Sequence, residues 1–341
     1  MLAMLGGELP NSASYFSTFG DASFSDCGDL EGIFGYDENC KWRPWTYNKR
    51  IEVAEKVKAF KASLSPKLAG STRRTKTTEF IAKQRSRQEF EPLVGSLIDK
   101  AHVEPLHLRN NAWQYFLAVV KESMAKSTFL PSQKQFSDIP EDTCFSRVVN
   151  ALTYEVKATR AAKKIISWYG ETQGKKGDFQ YRFTGKESRL LCHNFMRLIK
   201  RLSREEDSPK QRQTVLALTY IGIRLRDCCS IFNRIEVHPT DLVKLEKAAS
   251  EYFCANKMFL PYSINPTIWT LGKVLPVHAK DVYEKYQQGL LTVTMEGREA
   301  KHIALHRLSL NSTYRSRWVD IFRHEFIMLI WLPEQGHEPS R

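Results

Sequence analysis

A short stretch near the C-terminal end carries the densest set of side chains able to do chemistry. It runs from Met295 to His306 and includes Glu299, His302 and His306, at positions i, i+3 and i+7. On a helix these three share one face, and carboxylate and imidazole groups at this spacing could hold a zinc ion. The order differs from the His-Glu-x-x-His arrangement of helical zinc proteases. Because the set offers only three ligands, we favour a solvated polar face over a self-contained zinc site.

Other candidate motifs lack the spacing that their chemistry requires. Cys192-His193 and Cys228-Cys229 have no partner at C-x-x-C spacing, so we interpret them as core thiols and an ordinary histidine, with metal binding as the alternative. No Gly-Lys dipeptide is preceded by the glycine that a phosphate-binding P-loop needs; the dipeptides begin at Gly174, Gly185 and Gly272. The sequence therefore argues against a cysteine nucleophile and against ATP hydrolysis.

The positive charge of the chain is concentrated in two blocks. The 341 residues include 51 Lys and Arg against 38 Asp and Glu, a formal charge of +13. Residues 41–91 hold 14 basic and 5 acidic residues, and residues 157–212 hold 15 and 6, so each block carries +9 and the remainder −5. Clustered Lys and Arg bind polyanions by neutralising phosphates and releasing counterions. The distribution predicts contact with nucleic acid, and solvated helix faces are the alternative.

Specific residues of the two blocks are our candidates for nucleic-acid contact. They are Lys49, Arg50, Arg73, Arg74, Arg182, Lys186, Arg189, Arg197, Lys200, Arg201 and Arg204. Aromatic residues lie between these cations in the sequence and could stack on bases or, alternatively, belong to the core. They are Trp42, Trp45, Tyr47, Trp168, Tyr169, Phe179, Tyr181 and Phe183.

The elements that must position these residues are helices. Apolar residues recur at helical spacing, and caps such as Ser208-Pro209 mark helix starts. We predict helices over 47–64, 88–100, 110–126, 144–168, 186–203, 208–234, 240–256, 266–286, 294–307 and 313–331, with residues 71–87 as a linker or short exposed helix. Only Leu290 to Thr294 has the alternating pattern of a strand. The fold class is therefore mainly α.

Three segments together resemble a known family. Leu275-Pro276-Val277-His278 is followed, further along the chain, by Glu296-Gly297-Arg298-Glu299. Leu106-His107 leads to Asn110-Asn111-Ala112-Trp113, and Tyr47 to Phe60 precedes both. These segments are similar to the C-terminal part of the DDE transposase core shared by the V(D)J recombinase catalytic subunit and Transib-like transposases, in which a zinc-binding histidine precedes a Glu-Gly-x-Glu segment at about this interval. The similarity extends over residues 41–332.

The resemblance implies a fold and a chemistry. The fold would be the helical insertion domain and terminal helices of an RNase H-like core, with the central sheet largely missing. Glu296 would be the third of three carboxylates that hold Mg²⁺ for DNA cleavage and strand transfer, and His278 would be a zinc ligand. The implied organisation is an irregular leader (1–46), a basic helical and linker segment (47–109), a helical insertion-like domain (110–265), C-terminal helices carrying the Glu-Gly-x-Glu segment (266–332) and a tail (333–341).

Several positions depart from the family pattern. The two other carboxylates should lie on strands before Tyr47, but the aspartates there occupy a Gly/Ser-rich stretch without strand pattern; they are Asp21, Asp26, Asp29 and Asp37. Cys27 and Cys40 lie too far apart to form a C-x-x-C pair, and Lys273 stands where the family has its first zinc-binding histidine. An ammonium group cannot ligate zinc unless it is deprotonated. We therefore expect neither a working Mg²⁺ site nor a complete zinc site in this chain.

The leading hypothesis is a transposase-derived, catalytically incomplete protein that binds DNA non-specifically through basic faces. One alternative is an active metal-dependent transposase or integrase part of a longer polypeptide, in which Met1 is an internal start. Another is a helical protein-interaction module. A homo-oligomer and a full-length transposase remain open as protein partners. The odd number of cysteines and the absence of a signal or spanning pattern lead us to expect a nuclear or cytoplasmic protein that is not secreted and has no membrane partner.

Overall fold

A computed structural model describes residues 2–10, 12–125, 135–172, 179, 181–203, 208–260, 264–310, 313 and 316–337. Within these residues the chain is mainly helical, as predicted, and β-pairing is limited to three isolated bridges, Glu8 with Gln88, Tyr15 with Ser23 and Gly20 with Pro44. The chain divides into two compact units, Met1–Val293 and Thr294–Arg341. Each unit is described by itself.

The first unit contains helices α1 to α11. Their bounds are α1 Leu2–Leu5, α2 Tyr47–Ser63, α3 Gly70–Lys83, α4 Pro105–Ala125, α5 Cys144–Asn150, α6 Thr159–Thr172, α7 Gly185–Leu202, α8 Pro209–Phe232, α9 Pro239–Phe259, α10 Pro266–Trp269 and α11 Leu275–Tyr286. Residues 151–155 and 270–274 are π-helical turns. Residues 95–100, 136–138 and 290–293 are 3₁₀ turns. The second unit contains α12 Glu296–Leu310, α13 Arg317–Phe326, a π-helical turn over 327–331 and α14 Leu332–Glu334.

Local sequence signals explain where these helices begin. Proline occupies the first turn of α8, α9 and α10, where a missing backbone N–H leaves no hydrogen bond unmade. The side chain of Ser208 caps α8, and Asn265 caps α10 by accepting from the Thr267 backbone N–H at 2.9 Å. Helices α4, α7, α8 and α9 then pack their apolar faces into one core, which is centred on residues such as Trp113, Phe195 and Phe232.

The irregular leader, residues 1–46, contributes to this core. Phe16, Phe34 and Trp42 surround Trp269 with ring centroids 5.5 to 5.7 Å away. The leader's carboxylates hold its turns, because Asp21 accepts the Arg43 backbone N–H at 2.6 Å. Asp26 likewise accepts the Trp42 indole N–H, at 3.1 Å. A segment whose only regular element in the described residues is the short helix α1 is thus fixed by side-chain packing and side-chain hydrogen bonds.

Three segments differ from the sequence predictions. Leu290–Val293 forms a 3₁₀ turn rather than a strand, because its backbone bonds within itself and to the 234–235 turn instead of to a neighbouring strand. Most of 88–100 is irregular, and only Gly95–Lys100 is helical. The helix predicted over 144–168 is interrupted between Glu155 and Thr159, where Lys157 adopts a left-handed conformation with φ of 60°.

Candidate nucleic-acid interface

Helix α7 is positioned by its N-terminal cap and by one apolar face. The Thr184 hydroxyl accepts the Glu187 backbone N–H at 3.3 Å, and Glu187 accepts the Thr184 backbone N–H at 2.9 Å, a reciprocal capping box. Leu191, Phe195 and Leu198 follow at i, i+4 and i+7 and are fully buried. These residues fix both where the helix begins and which side faces the core.

The opposite face of α7 carries a row of exposed basic side chains, which we call the α7 stripe. Its members are Lys186, Arg189, His193, Arg197 and Lys200, at i, i+3, i+7, i+11 and i+14, and all are exposed. At 1.5 Å per residue the stripe is about 21 Å long. Arg182, which precedes the helix, is also exposed. The structure therefore brings together five of the cations predicted for the second basic block with one histidine between them.

A buried carboxylate anchors the first turn of this helix. Glu187 is 6% exposed and receives hydrogen bonds from Arg160 Nη2 at 2.6 Å and from the Tyr181 hydroxyl. Burial disfavours ionisation of Glu187, but the hydrogen bonds from Arg160, Thr184 and Tyr181 outweigh it and hold the pKa of this carboxyl below its usual value. The hydrogen bond that Arg160 donates to Glu187 also raises the pKa of Arg160. Arg160 is thus committed to this anchor.

At the C-terminal end of the stripe, Glu155 contacts two arginines of α7. Arg197 donates to the backbone carbonyl of Glu155 at 3.2 Å, and Arg201 Nη2 lies 2.6 Å from the Glu155 carboxylate. Arg201 is therefore partly neutralised, while Lys200 projects from the exposed face. Arg204 lies outside the described residues. Tyr154, the residue before Glu155, is 74% exposed.

One predicted contact in the first basic block is wrong. Arg50 is 3% exposed and pairs with Glu8, whose side chain is fully buried and also lies 3.1 Å from Arg87 Nε. Arg50 therefore joins the leader to α2 and cannot reach a phosphate. Its sequence neighbour Lys49 is exposed and lies 5.2 Å from the Trp45 ring centroid.

The other two candidates of that block lie at the start of α3. Arg74 is exposed, and Arg73 is half-buried, with its guanidinium 3.5 Å from the Leu64 carbonyl oxygen. Both residues line a cavity of about 490 Å³ between α2 and α3, together with Lys61, which pairs with Glu89 at 2.7 Å.

The aromatic residues between the cations serve mostly as core. Four of them are buried and cannot stack on bases; they are Trp42, Trp168, Tyr169 and Phe183. Phe179 and Tyr181 pack against the same core. The sequence left open whether the aromatics stack on bases or belong to the core, and these six side chains support the core interpretation.

His278 is placed where zinc binding is disfavoured. Its Nδ1 accepts the Val103 backbone N–H at 3.0 Å, and its ring packs edge-on against Phe19 and His102. His102 in turn lies 2.6 Å from the Asp281 carboxylate. Burial, aided by the charge of His102, lowers the pKa of His278 to about 3, so the ring is neutral at physiological pH. One ring nitrogen is thus already occupied by the backbone.

Lys273 does not complete a zinc site either. Its ammonium group donates to the backbone carbonyls of Leu30 at 3.1 Å and Gly32 at 3.2 Å. A charged donor in this position cannot act as a metal ligand. In the part of the chain that the structure describes, no group of three or more His, Cys, Asp or Glu side chains is placed to hold a metal ion. At these two positions, Lys273 and His278 therefore do not form the pair of zinc ligands that the resemblance implies.

Glu296 is the first residue of helix α12 and is half-buried. Its backbone N–H lies 3.3 Å from the Thr294 hydroxyl oxygen, which is typical of a helix start. The side chains of Glu299 and His302 fall outside the described residues, and His306 is exposed. The aspartates that a DDE site would require are engaged in leader turns, as Asp21 and Asp26 illustrate.

Several polar networks between distant parts of the chain were not predicted from the sequence. Glu8, Arg87, Arg160 and Asp281 each pair with residues far away in the chain, so no local spacing marks them. The one available signal was the Thr184-x-x-Glu187 pattern, which is a capping-box sequence.

Comparison with known proteins identifies no relative: no protein-family model matches the chain, and no curated protein matches it. Among the described residues, no helix is both long enough and apolar enough to cross a membrane. The site on α7 must therefore be interpreted from its own geometry.

Proposed function

We propose that the chain is a transposase-derived, catalytically incomplete protein that binds DNA through the phosphates, with the α7 stripe as its principal contact. The single observation that carries the binding proposal is the stripe itself, in which exposed cations repeat along one helix face for about 21 Å. The transposase lineage is supported by the sequence segments that end at His278 and begin at Glu296.

The geometry favours contact with the backbone rather than readout of bases. The four cations of the stripe share one exposed helix face, from which they can contact phosphates; they are Lys186, Arg189, Arg197 and Lys200. Most of the aromatics of the same block are buried, so they add no stacking energy. Binding should therefore depend strongly on salt and weakly on sequence.

The test is a fluorescence-anisotropy titration of labelled duplex DNA over a series of salt concentrations. Each phosphate contact contributes about −0.9 to the slope of log K against log salt, so four contacts give a slope of about −3.6. Replacing two of them in Lys186→Gln/Lys200→Gln should reduce the slope to about −1.8 and weaken binding roughly 60-fold at 0.1 M salt. A salt-independent affinity would refute the proposal.

A matched control removes the same charge elsewhere. Lys244 and Lys247 are exposed on α9, and Lys244→Gln/Lys247→Gln lowers the net charge by the same two units. We expect this variant to bind DNA nearly as the parent does. Equal losses in the two double variants would mean that overall charge, rather than the stripe, drives binding.

A second candidate function, protein interaction, is favoured by the second unit. Helix α13 and the turn after it expose several large apolar side chains; they are Trp318 67%, Val319 58%, Phe322 68%, Phe326 54%, Leu329 60% and Ile330 45%. An apolar face of this kind is typical of a protein-binding helix. Sedimentation equilibrium of the parent and of Phe322→Glu tests self-association, which the substitution should abolish. A parent that stays monomeric throughout would exclude a second copy as the partner.

A further inference from the structure

An open groove of about 590 Å³ lies between α9, α11 and the leader. We call it the α9–α11 groove. Its apolar walls are formed by Phe34 and Tyr36 from the leader, Leu242 and Val243 from α9, and Val277 from α11. The volume lies in the range of small-molecule sites, which span about 300–1,000 Å³.

The half-buried charged group of this groove is Lys273. Its Nζ donates to the Leu30 and Gly32 carbonyls and lies 5.6 Å from the Trp42 ring centroid and 5.2 Å from that of Phe253. An ammonium group has three N–H donors, so two carbonyl bonds leave one for a ligand. Burial lowers the pKa of Lys273, which agrees with an amine that is partly withdrawn from water.

The backbone holds this lysine rigidly. Lys273 belongs to the π-helical turn Thr270–Val274, an irregularity that is frequent at functional sites. Gly272 packs so closely that an added Cβ would lie 2.5 Å from Phe253 Cβ. The loop opposite is equally fixed, since Gly32 has φ of +69° and lies against the Cys40 backbone. The amine is therefore presented at a defined point.

Lys273 also feels the charge of the nearby Asp29 carboxylate, and three further charged side chains line the groove itself. Lys280 and Glu284 form an i,i+4 pair at 3.9 Å, and Lys280 lies over the Tyr36 ring at 4.9 Å. Glu246 is exposed on α9. A charge on an exposed side chain is screened by water far more than one at a half-buried amine.

From this arrangement we propose that the α9–α11 groove binds a small apolar molecule carrying one carboxylate, with its hydrocarbon body against Phe34, Leu242 and Val277 and its carboxylate on Lys273. This binding is independent of the DNA contact proposed for α7. The positive charge of Lys273 favours the carboxylate of the ligand, and the apolar walls of the groove favour its hydrocarbon chain.

Isothermal titration calorimetry of the full chain with decanoate and decan-1-ol tests the proposal, because the two probes share a hydrocarbon body and differ in charge. We expect one decanoate per chain, bound at least tenfold more tightly than the alcohol, since a charge-assisted hydrogen bond is worth roughly a factor of ten or more. Lys273→Met should remove that difference. Lys244→Met, which removes an equal charge from an exposed side chain of α9 that does not line the groove, should retain it.

A second variant protects the test against misfolding of Lys273→Met. Val243 is 67% exposed, so Val243→Trp can narrow the groove without entering the core. It should weaken decanoate binding about tenfold while the thermal melting curve stays unchanged. The proposal is overturned if the parent shows no saturable decanoate binding, if Lys273→Met binds decanoate as tightly as the parent, or if decanol binds equally well.

Discussion

Protonation of His278 should make the stability of the first unit depend on pH in a predictable direction. Burial lowers its pKa from 6.5 to about 3, so the unfolded chain binds a proton below pH 6.5 that the folded chain does not. Stability is therefore lost as the pH falls through this window. Between pH 7.5 and pH 5.0 the free energy of unfolding should therefore fall by about 2 kcal/mol. This value follows because pH 5.0 lies about 1.5 units below the unfolded pKa, at 1.36 kcal/mol per unit.

The variant His278→Asn isolates this effect. An asparagine carbonyl can take the place of Nδ1 and accept the Val103 N–H, but it does not titrate. Urea denaturation at pH 7.5 and pH 5.0 should show that the parent loses about 2 kcal/mol more than the variant. The pKa of Asp281 is lowered because hydrogen bonds from Lys285 and His102 outweigh its burial, so its contribution is lost below the usual aspartate range and does not interfere.

The control is His193, which is exposed on α7, whereas His278 is bonded to the Val103 backbone. His193→Asn should keep the pH dependence of the parent. If His278→Asn loses as much stability as the parent between the two pH values, the burial argument for His278 is refuted. Added Zn²⁺ should not raise the urea midpoint of the parent; a clear increase would restore the zinc hypothesis.

Three further predictions concern buried charge, packing and helix propensity. Glu8→Gln leaves two buried guanidinium groups without their carboxylate and should cost about 3–5 kcal/mol in urea denaturation, whereas Glu52→Gln, at an exposed pair, should leave the midpoint unchanged. Gly289→Ala would place a Cβ 2.3 Å from the Arg234 carbonyl oxygen and should cost about 1–3 kcal/mol. Gly170→Ala, with open space around it, should stabilise helix α6 by up to about 1 kcal/mol. A neutral Glu8→Gln or Gly289→Ala would contradict the packing described for those positions.

The helices were largely predictable, because their signals are local. The periodicity and caps of α8 and α9 place both helices within a few residues of their observed bounds. The strand predicted over 290–294 is wrong, because an alternating pattern specifies a strand only where a partner strand exists. The leader is largely irregular, as its composition predicts. Its packing was not predictable, because the burial of Phe16 and Trp42 depends on Trp269, which is distant in the sequence.

The candidate interface was predicted in part. The spacing of Lys186, Arg189, Arg197 and Lys200 already places them on one helical face, and the structure confirms that this face is exposed. Arg50 has the same residue type and a basic neighbourhood, yet it is buried, because burial is decided by the distant Glu8. Charge counted along a chain cannot separate a surface cation from one paired inside.

The sequence by itself determined the mainly helical class, the concentration of positive charge in two blocks and the register of the α7 stripe, since each of these depends on residues within a few turns. Only the tertiary structure decided which cations reach solvent, why His278 is neutral and engaged with the backbone, and how Lys273 comes to lie inside an apolar groove. The physical reason is that burial and desolvation arise from contacts between segments such as Leu30–Gly32 and the turn before α11, which no local pattern records.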